Sequence, residues 1–266
     1  STFGTKEGLP FEVQYLTAAD ELVFFSNTNW TTFDLSTGEY ITKLGQLRRL
    51  TISGYGLVDL DPDFKNLKNL ESLDISVNNF EKIPEVLTKE NFPKLHALYL
   101  NTCQRGVIYD LSNTTTTHFG GLFEETDQTR EFPRRLLEWD NLDTLTLSVN
   151  YLQGRIPDMK DYAQKYTQAD ISAADSLPQA LVGTPKVLPN IKRFSINLNR
   201  LTGELPEWLL HHPALDWMDP FTLVFTQEGK DQDGKLAGFT NEPVNLDEYY
   251  RFYEGKKYLD PNKKEE

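Results

Sequence analysis

The chain has 266 residues, 38% hydrophobic and 25% charged, which excludes a disordered segment and is long enough for one large solenoid or two ordinary domains. Its formal charge of -13 opposes the neutralisation of phosphates, so nucleic acid and anionic membrane surfaces are not expected partners. The single cysteine, Cys103, excludes an intrachain disulfide framework and a multi-cysteine metal site.

No apolar run approaches the ~18 residues of a membrane-spanning helix, and no charged-then-apolar leader opens the chain. Direct membrane insertion and a signal peptide within this sequence are therefore not expected. Residues 1–20 have no clear period, although Phe3, Phe11 and Tyr15 offer anchors. The stretch ELVFFSNTNW at 21–30 reads as a strand and a turn. With Phe33, Leu35 and Tyr40 it is expected to close the first edge of a solenoid, so residues 1–45 are assigned as a lead and cap.

From residue 46 the chain is a repeat. Leucine-type anchors recur at i, i+3 and i+5: Leu47, Leu50, Ile52; Leu70, Leu73, Ile75; Leu95, Leu98, Leu100; Leu142, Leu145, Leu147; Ile191, Phe194, Ile196. Leu50 to Leu73 is 23 residues and Leu73 to Leu98 is 25, but the next two steps, 47 and 49, are about doubled. Two insertions explain the doubling, one at about 110–131 and one at about 158–176. In each case the arm pattern resumes afterwards, at Phe132-Pro133 and at Leu177-Pro178. The first insertion is rich in Thr and Asn and reads as loop, whereas MKDYAQKYTQAD in the second has the composition of a short helix.

Alternation at the second and third anchors predicts a short strand with one face inward, and stacking such strands builds a parallel sheet. Three residues beyond the last anchor stand Asn78, Asn150 and Asn199, whose amides can satisfy backbone groups that no ladder reaches. Cys103 takes that position in the third repeat and Tyr55 in the first. A weak last copy, Leu215 and Met218, precedes the loss of period. Beyond it FTLVF reads as one strand, EGKDQDGKLAG as a polar turn, and residues 223–266 as a C-terminal cap in which Tyr249, Tyr250, Phe252, Tyr253 and Tyr258 cover the open core edge.

The motif LxxLxLxxN/C, continued by LxGxIP in LDTLTLSVNYLQGRIP and IKRFSINLNRLTGELP, resembles the leucine-rich-repeat family in its Gly-x-Ile-Pro variant. The resemblance covers about residues 46–222. It implies an α/β fold: a right-handed solenoid with a concave parallel β-sheet, irregular or short-helical return arms and atypical capping units. It also implies a non-enzymatic module that binds a protein or peptide on its concave face. Such arms occur in plant receptor-type proteins and in exported proteins of Bacteroides-type gut bacteria; the lack of cysteine pairs favours the resemblance to the bacterial group, which implies export and display at a cell surface.

Catalytic chemistry has no foothold. His96, His118, His211 and His212 are scattered, with no HExxH, no GxSxG and no phosphate-cradling loop, so neither enzyme activity nor a cofactor or metal is expected. Asp231-Gln232-Asp233-Gly234 opens like a calcium loop but lacks the required first and last ligands, and reads as a turn. The candidate site is a surface. Residues between anchors point out of the strand face, giving a central row of Thr51, Asp74, Tyr99, Thr146 and Ser195. Beside it lie Arg49, Ser53, Ser72, Ser76, Ala97, Asn101, Thr144, Ser148, Arg193 and Asn197.

From these the binding residues are expected to be Arg49, Thr51, Asp74, Tyr99, Asn101, Thr146, Ser148, Ser195 and Asn197, with Tyr99 the large anchor. Two readings stay open: the hydroxyls line a groove for peptide or glycan, or they are there because small and β-branched residues suit a tight strand. The chain is expected to act as a monomer.

Overall fold

The computed structural model describes residues 11–25, 38–55, 57, 59–78, 80, 83–102, 131–173, 177–210, 212–215, 226–230 and 234–241. Cys103, the first insertion up to residue 130, His118, His211, the FTLVF segment, residues 231–233 and the aromatic tail lie outside them.

Eight strands form among the described residues: β1 (Glu21–Phe25), β2 (Arg49–Ser53), β3 (Ser72–Asp74), β4 (Ala97–Tyr99), β5 (Thr144–Thr146), β6 (Gln153–Gly154), β7 (Arg193–Ser195) and β8 (Arg200–Leu201). The main sheet runs β1-β2-β3-β4-β5-β7, every pair parallel, and β6 and β8 form a small parallel ribbon in the return arms. Parallel neighbours in sequence order require a crossover after each strand. The crossovers described are short: α1 (Gly38–Ile41), α2 (Arg134–Leu137), α3 (Gln168–Ala173), α4 (Glu207–Leu210) and single 3-10 turns such as Pro62–Asn66. The chain is thus an α/β solenoid of leucine-rich-repeat type.

The anchors set the register. Leu22, Leu50, Leu73, Leu98, Leu145 and Phe194 stand side by side across the sheet. Ile52, Ile75, Leu100, Leu147 and Ile196 behind them are completely buried. Each such side chain contributes roughly 1.5–3 kcal/mol through burial, so the core is a column built one coil at a time. Leu22 and Phe24 pair with Leu50 and Ile52, with Ala19 packed against the core, so β1 carries the same i, i+3, i+5 triplet. Alanine in place of the first leucine hides this coil in the sequence.

After β2, β3, β4, β5 and β7 the backbone enters the left-handed region, at Gly54 (φ 79), Val77 (φ 60), Thr102 (φ 54), Val149 (φ 61) and Leu198 (φ 56). That conformation turns the next residue inward and presents the N–H of the left-handed residue to the following coil. Val77 N donates to Asn101 O at 2.9 Å, Thr102 N to Ser148 O at 2.8 Å and Val149 N to Asn197 O at 3.1 Å. The inward residue is the asparagine. Asn78 Oδ1 accepts from Tyr55 N and Leu57 N at 3.3 and 3.2 Å, while its Nδ2 donates to Ile52 O and Ile75 O at 2.9 and 2.7 Å. Tyr55 can therefore replace asparagine in the first repeat, because Asn78 of the next coil holds its backbone.

The same device extends past Asn199. Gln227 Nε2 donates to Ile196 O at 3.1 Å and its Oε1 accepts from Leu201 N at 3.1 Å, the bonds Asn199 makes one coil earlier to Leu147 and Leu152. Thr226 O accepts from Leu198 N, as Asn197 O accepts from Val149 N, which puts Gln227 one residue ahead of the asparagine register; its extra methylene spans the difference. Gly238 N and Thr240 N then bond Leu201 O and Gly203 O at 2.8 and 2.9 Å, and Phe239 is buried in the core. Residues 226–230 and 234–241 thus stack as a further coil.

The return arms are stitched by carbonyls of the X-Pro pairs. Arg135 donates to Ile83 O and Pro84 O at 2.6 Å each, and Trp208 Nε1 to Pro157 O at 2.8 Å, both from the second residue after their own arm's proline. His212 is buried. Its Nδ1 accepts from Ala214 N while Nε2 lies 3.0 and 2.8 Å from Val187 O and Leu188 O, which assigns the Nε2–H tautomer and a packing role.

The second insertion closes on itself. Tyr166 and Gly183 to Lys186 exchange antiparallel bonds, with Tyr166 N to Thr184 O at 3.0 Å, Gly183 N to Tyr166 O at 2.8 Å and Lys186 N to Gln164 O at 2.9 Å. This hairpin carries α3 and the 3-10 turn Gln179–Leu181 at its tip. The added lobe therefore reaches residue 186, past the 176 read from the sequence. Met159, fully buried, and Val187-Leu188 continue the coil on either side.

Candidate functional site

The outward residues of the sheet form three rows. Successive strands at 4.7–4.9 Å spacing bring each row's side chains into contact range. The leading row is Glu21, Arg49, Ser72, Ala97, Thr144 and Arg193; the central row is Val23, Thr51, Asp74, Tyr99, Thr146 and Ser195. The trailing row is Phe25, Ser53, Ser76, Asn101, Ser148 and Asn197.

Of the residues expected to bind, Thr51, Asp74, Tyr99, Thr146 and Ser195 are half-buried in the centre of the face, and Arg49 is exposed. Arg49 is paired with Glu21, its Nε 2.8 Å from Oε2. The trailing row is committed to the scaffold. Ser76 N bonds Asp74 Oδ1 at 2.9 Å, Asn101 N bonds Ser76 Oγ at 3.1 Å, and Ser148 N bonds Asn101 Oδ1 at 3.0 Å. Ser148 Oγ contacts Ser195 Oγ at 2.6 Å and donates to Asn197 Oδ1, which also accepts from Ser195 Oγ at 3.0 Å.

With only 9% of its surface exposed, Ser148 is not available to a ligand, contrary to the expectation that it lines the groove. Its hydroxyl locks the β5 and β7 coils together instead. Asn101 and Asn197 stay half-buried but hold neighbouring coils in register. At the centre of the face the Thr146 hydroxyl is shielded and has no hydrogen-bond partner.

Sequence reasoning missed the apolar end of this face. Val23 is 61% and Phe25 71% exposed, in the central and trailing rows of β1. The signal was present in ELVFF, where alternation puts Val23 and Phe25 opposite Leu22 and Phe24. A second missed feature is a charged edge just before the strands, formed by Asp20, Arg48, Glu71, His96, Asp143 and Lys192. Arg48 makes a two-pronged bond to Glu71 at 2.8 and 3.1 Å, and His96 Nδ1 lies 3.1 Å from Asp143 Oδ2. The hydrogen bond from Arg48 holds the Glu71 carboxyl below its ordinary value. These pairs are solvent-exposed, so they align coils and add little to stability.

Beyond the trailing row, Tyr151, Leu198, Arg200, Glu228 and Gly229 line a hollow of about 290 Å³, with the Arg200 guanidinium 4.9 Å over the Tyr151 ring. Among the described residues no group of three or more His, Cys, Asp or Glu could hold a metal ion, and no helix is long and apolar enough to cross a membrane.

The Leucine Rich Repeat family model matches residues 69–89, the segment holding β3 and the Ile83-Pro84 arm. No curated protein matches the chain. Among solved structures, the chain is similar to a TDR receptor, with 20% identity, a TM-score of 0.44, and coverage of 80% of this chain and 32% of that one. It is also similar to PEPR1 in complex with AtPEP1, with 20% identity, a TM-score of 0.46, and coverage of 80% and 26%. A third is the Arabidopsis receptor kinase HAESA LRR ectodomain bound to an N-terminally extended IDA peptide hormone, at 19% identity, a TM-score of 0.46, and coverage of 88% and 36%. The chain thus spans about a third of the length of these proteins or less.

Proposed function

We propose that the protein is a non-enzymatic recognition module that holds a peptide or an extended protein segment along the central row of its strand face, with Phe25 of β1 as a flanking anchor. The observation that supports this most is the contrast between side chains: the trailing hydroxyls and amides are bonded to one another, while the side chains of Val23 and Phe25 are exposed and that of half-buried Tyr99 makes no hydrogen bond among the described residues. Exposed aromatic and β-branched side chains in line with small polar ones make an anchor-and-track surface, in which large groups supply affinity and the track excludes water. A glycan in the same groove has less support, because Ser148, Ser195 and Asn197 already satisfy each other. The reading includes export and display at a bacterial cell surface, which rests on the resemblance of the return arms alone.

The test is selection of peptides from a random display library on the immobilised protein, followed by affinity measurement on Tyr99→Ala and Phe25→Asp. Both positions leave the core untouched, so the variants fold. Selected peptides should lose at least tenfold in affinity for each variant. Equal binding to wild type and both variants would place the site elsewhere.

A further inference from the structure

The hairpin lobe of the second insertion does not pack flush against the solenoid. Between it and the following coil lies a cavity of about 390 Å³, lined from the lobe by Tyr166, Asp170, Leu177 and Lys186 and from the coil by Pro189, Asn190 and Pro213, with Ala173 and Ala214 at its rim. A cavity of this size is in the range of small-molecule sites, and its mixture of apolar walls with a few convergent polar groups matches their usual make-up.

The polar groups define what it can hold. Asp170 is saturated: Oδ1 accepts from Lys186 Nζ at 2.7 Å, and Oδ2 from Thr167 N and Oγ1 at 2.8 and 3.0 Å. The ion pair also neutralises Lys186, so the cavity carries no net charge to attract an ionic ligand. Open capacity remains in three groups. Tyr166 is only 5% exposed, yet its hydroxyl forms no hydrogen bond among the described residues. Asn190 uses one amide hydrogen on Asp140 O at 3.0 Å, which leaves its carbonyl oxygen as an acceptor. Lys186 adds further N–H capacity beside the Tyr166 ring, 5.9 Å from its centroid. Burial pushes the Tyr166 phenol up to about 12, so it is a donor at neutral pH.

The lining thus offers donors on Tyr166 and Lys186, an acceptor on Asn190 and the apolar faces of two prolines, a set that suits a secondary amide carrying a small apolar group. Its carbonyl can accept from Tyr166 and Lys186, its N–H can donate to Asn190, and its methyl can rest on Pro189, Pro213 and Ala214. We propose that this cavity is a second ligand site, separate from the strand face, that takes the acetamido group of an N-acetylated amino sugar. Tyr166, its ring buried and its hydroxyl open to the cavity, is the main donor, and the lobe forms the outer wall.

The experiment is saturation-transfer NMR on the full chain with N-acetylglucosamine, N-acetylgalactosamine and glucose as probes. At least one N-acetylated sugar should give a saturable signal strongest at the acetyl methyl, and glucose should give none. Tyr166→Phe, which keeps the ring and its packing, should weaken binding at least tenfold at an unchanged urea midpoint. Ala214→Phe, which fills the rim, should abolish it. Tyr99→Ala should leave sugar binding unchanged, which separates this site from the strand face. No saturable signal from either N-acetylated sugar, equal binding of glucose, or full binding by Tyr166→Phe overturns the proposal.

Discussion

Asn199→Ala tests what holds successive coils together. Asn199 is completely buried; its Oδ1 accepts from Asn150 N at 2.8 Å and Leu152 N at 3.2 Å, and its Nδ2 donates to Leu147 O at 2.9 Å and Ile196 O at 2.8 Å. Ile196 O keeps a second donor in Gln227, so the substitution removes Asn199 as partner from three groups that need it: two N–H groups and the Leu147 carbonyl. A buried polar group deprived of its partner costs roughly 1–3 kcal/mol, which puts the plain sum at roughly 3–9 kcal/mol. Water entering the vacated space and small backbone shifts favour the low end, so the expected loss is about 3–4 kcal/mol. Equilibrium urea unfolding followed by tryptophan fluorescence reads it, as a midpoint lowered by on the order of 1 M at unchanged slope. Thr51→Ala, on the open face, should change stability by less than about 0.5 kcal/mol. If Asn199→Ala costs under about 1 kcal/mol, the coils are held by apolar stacking alone and the ladder is incidental.

Val149 is a β-branched residue held at φ 61, where such residues carry roughly 1–3 kcal/mol of strain. Val149→Asn should therefore stabilise the protein by about 1 kcal/mol in the same urea assay, and a destabilised variant would mean that Val149 packing outweighs its backbone strain. Tyr166 gives a pH prediction. Its folded pKa, pushed up to about 12 by burial, exceeds the roughly 10 of a free tyrosine, so its contribution to stability is complete below about pH 10 and is lost as pH rises through about 12. The wild-type minus Tyr166→Phe difference at 295 nm should show one phenol titrating near 12, and a midpoint near 10 would show that the ring is not buried.

The repeat was legible because each coil writes its register into three buried positions and one buried amide, and burial tolerates few residue types. Where the same physics is met by another residue, the pattern fades. Ala19 stands where leucine is expected, and Gln227 reaches the asparagine's partners from one residue early. Both ends of the solenoid therefore looked less regular than they are. The lobe boundary was misplaced for a different reason: Leu177-Pro178 repeats the arm's Leu-Pro pair, but the antiparallel pairing of Tyr166 with Gly183 and Thr184, a non-local contact, decides where the lobe ends.

The proposed binding surface was only half legible, and the missing half decides how it could work. Alternation identifies which residues leave the core, but not what they meet outside it. Serine and asparagine at the end of a strand can face a ligand or reach the next coil, and sequence spacing is identical in both cases. Here the trailing row reaches the next coil, from Ser76 through Asn101 to Ser148 and Asn197, and ties in Asp74 and Ser195 of the central row. These bonds stiffen one margin of the face and leave Val23, Thr51 and Tyr99 of the central row as its adaptable part. A ligand lying along Val23, Thr51, Asp74 and Tyr99 thus meets side chains whose backbones are fixed on both sides, by the anchors beneath and by the bonded margin beside. Little conformational freedom remains to be lost on binding, which is the condition under which a shallow, largely uncharged track can still hold a partner.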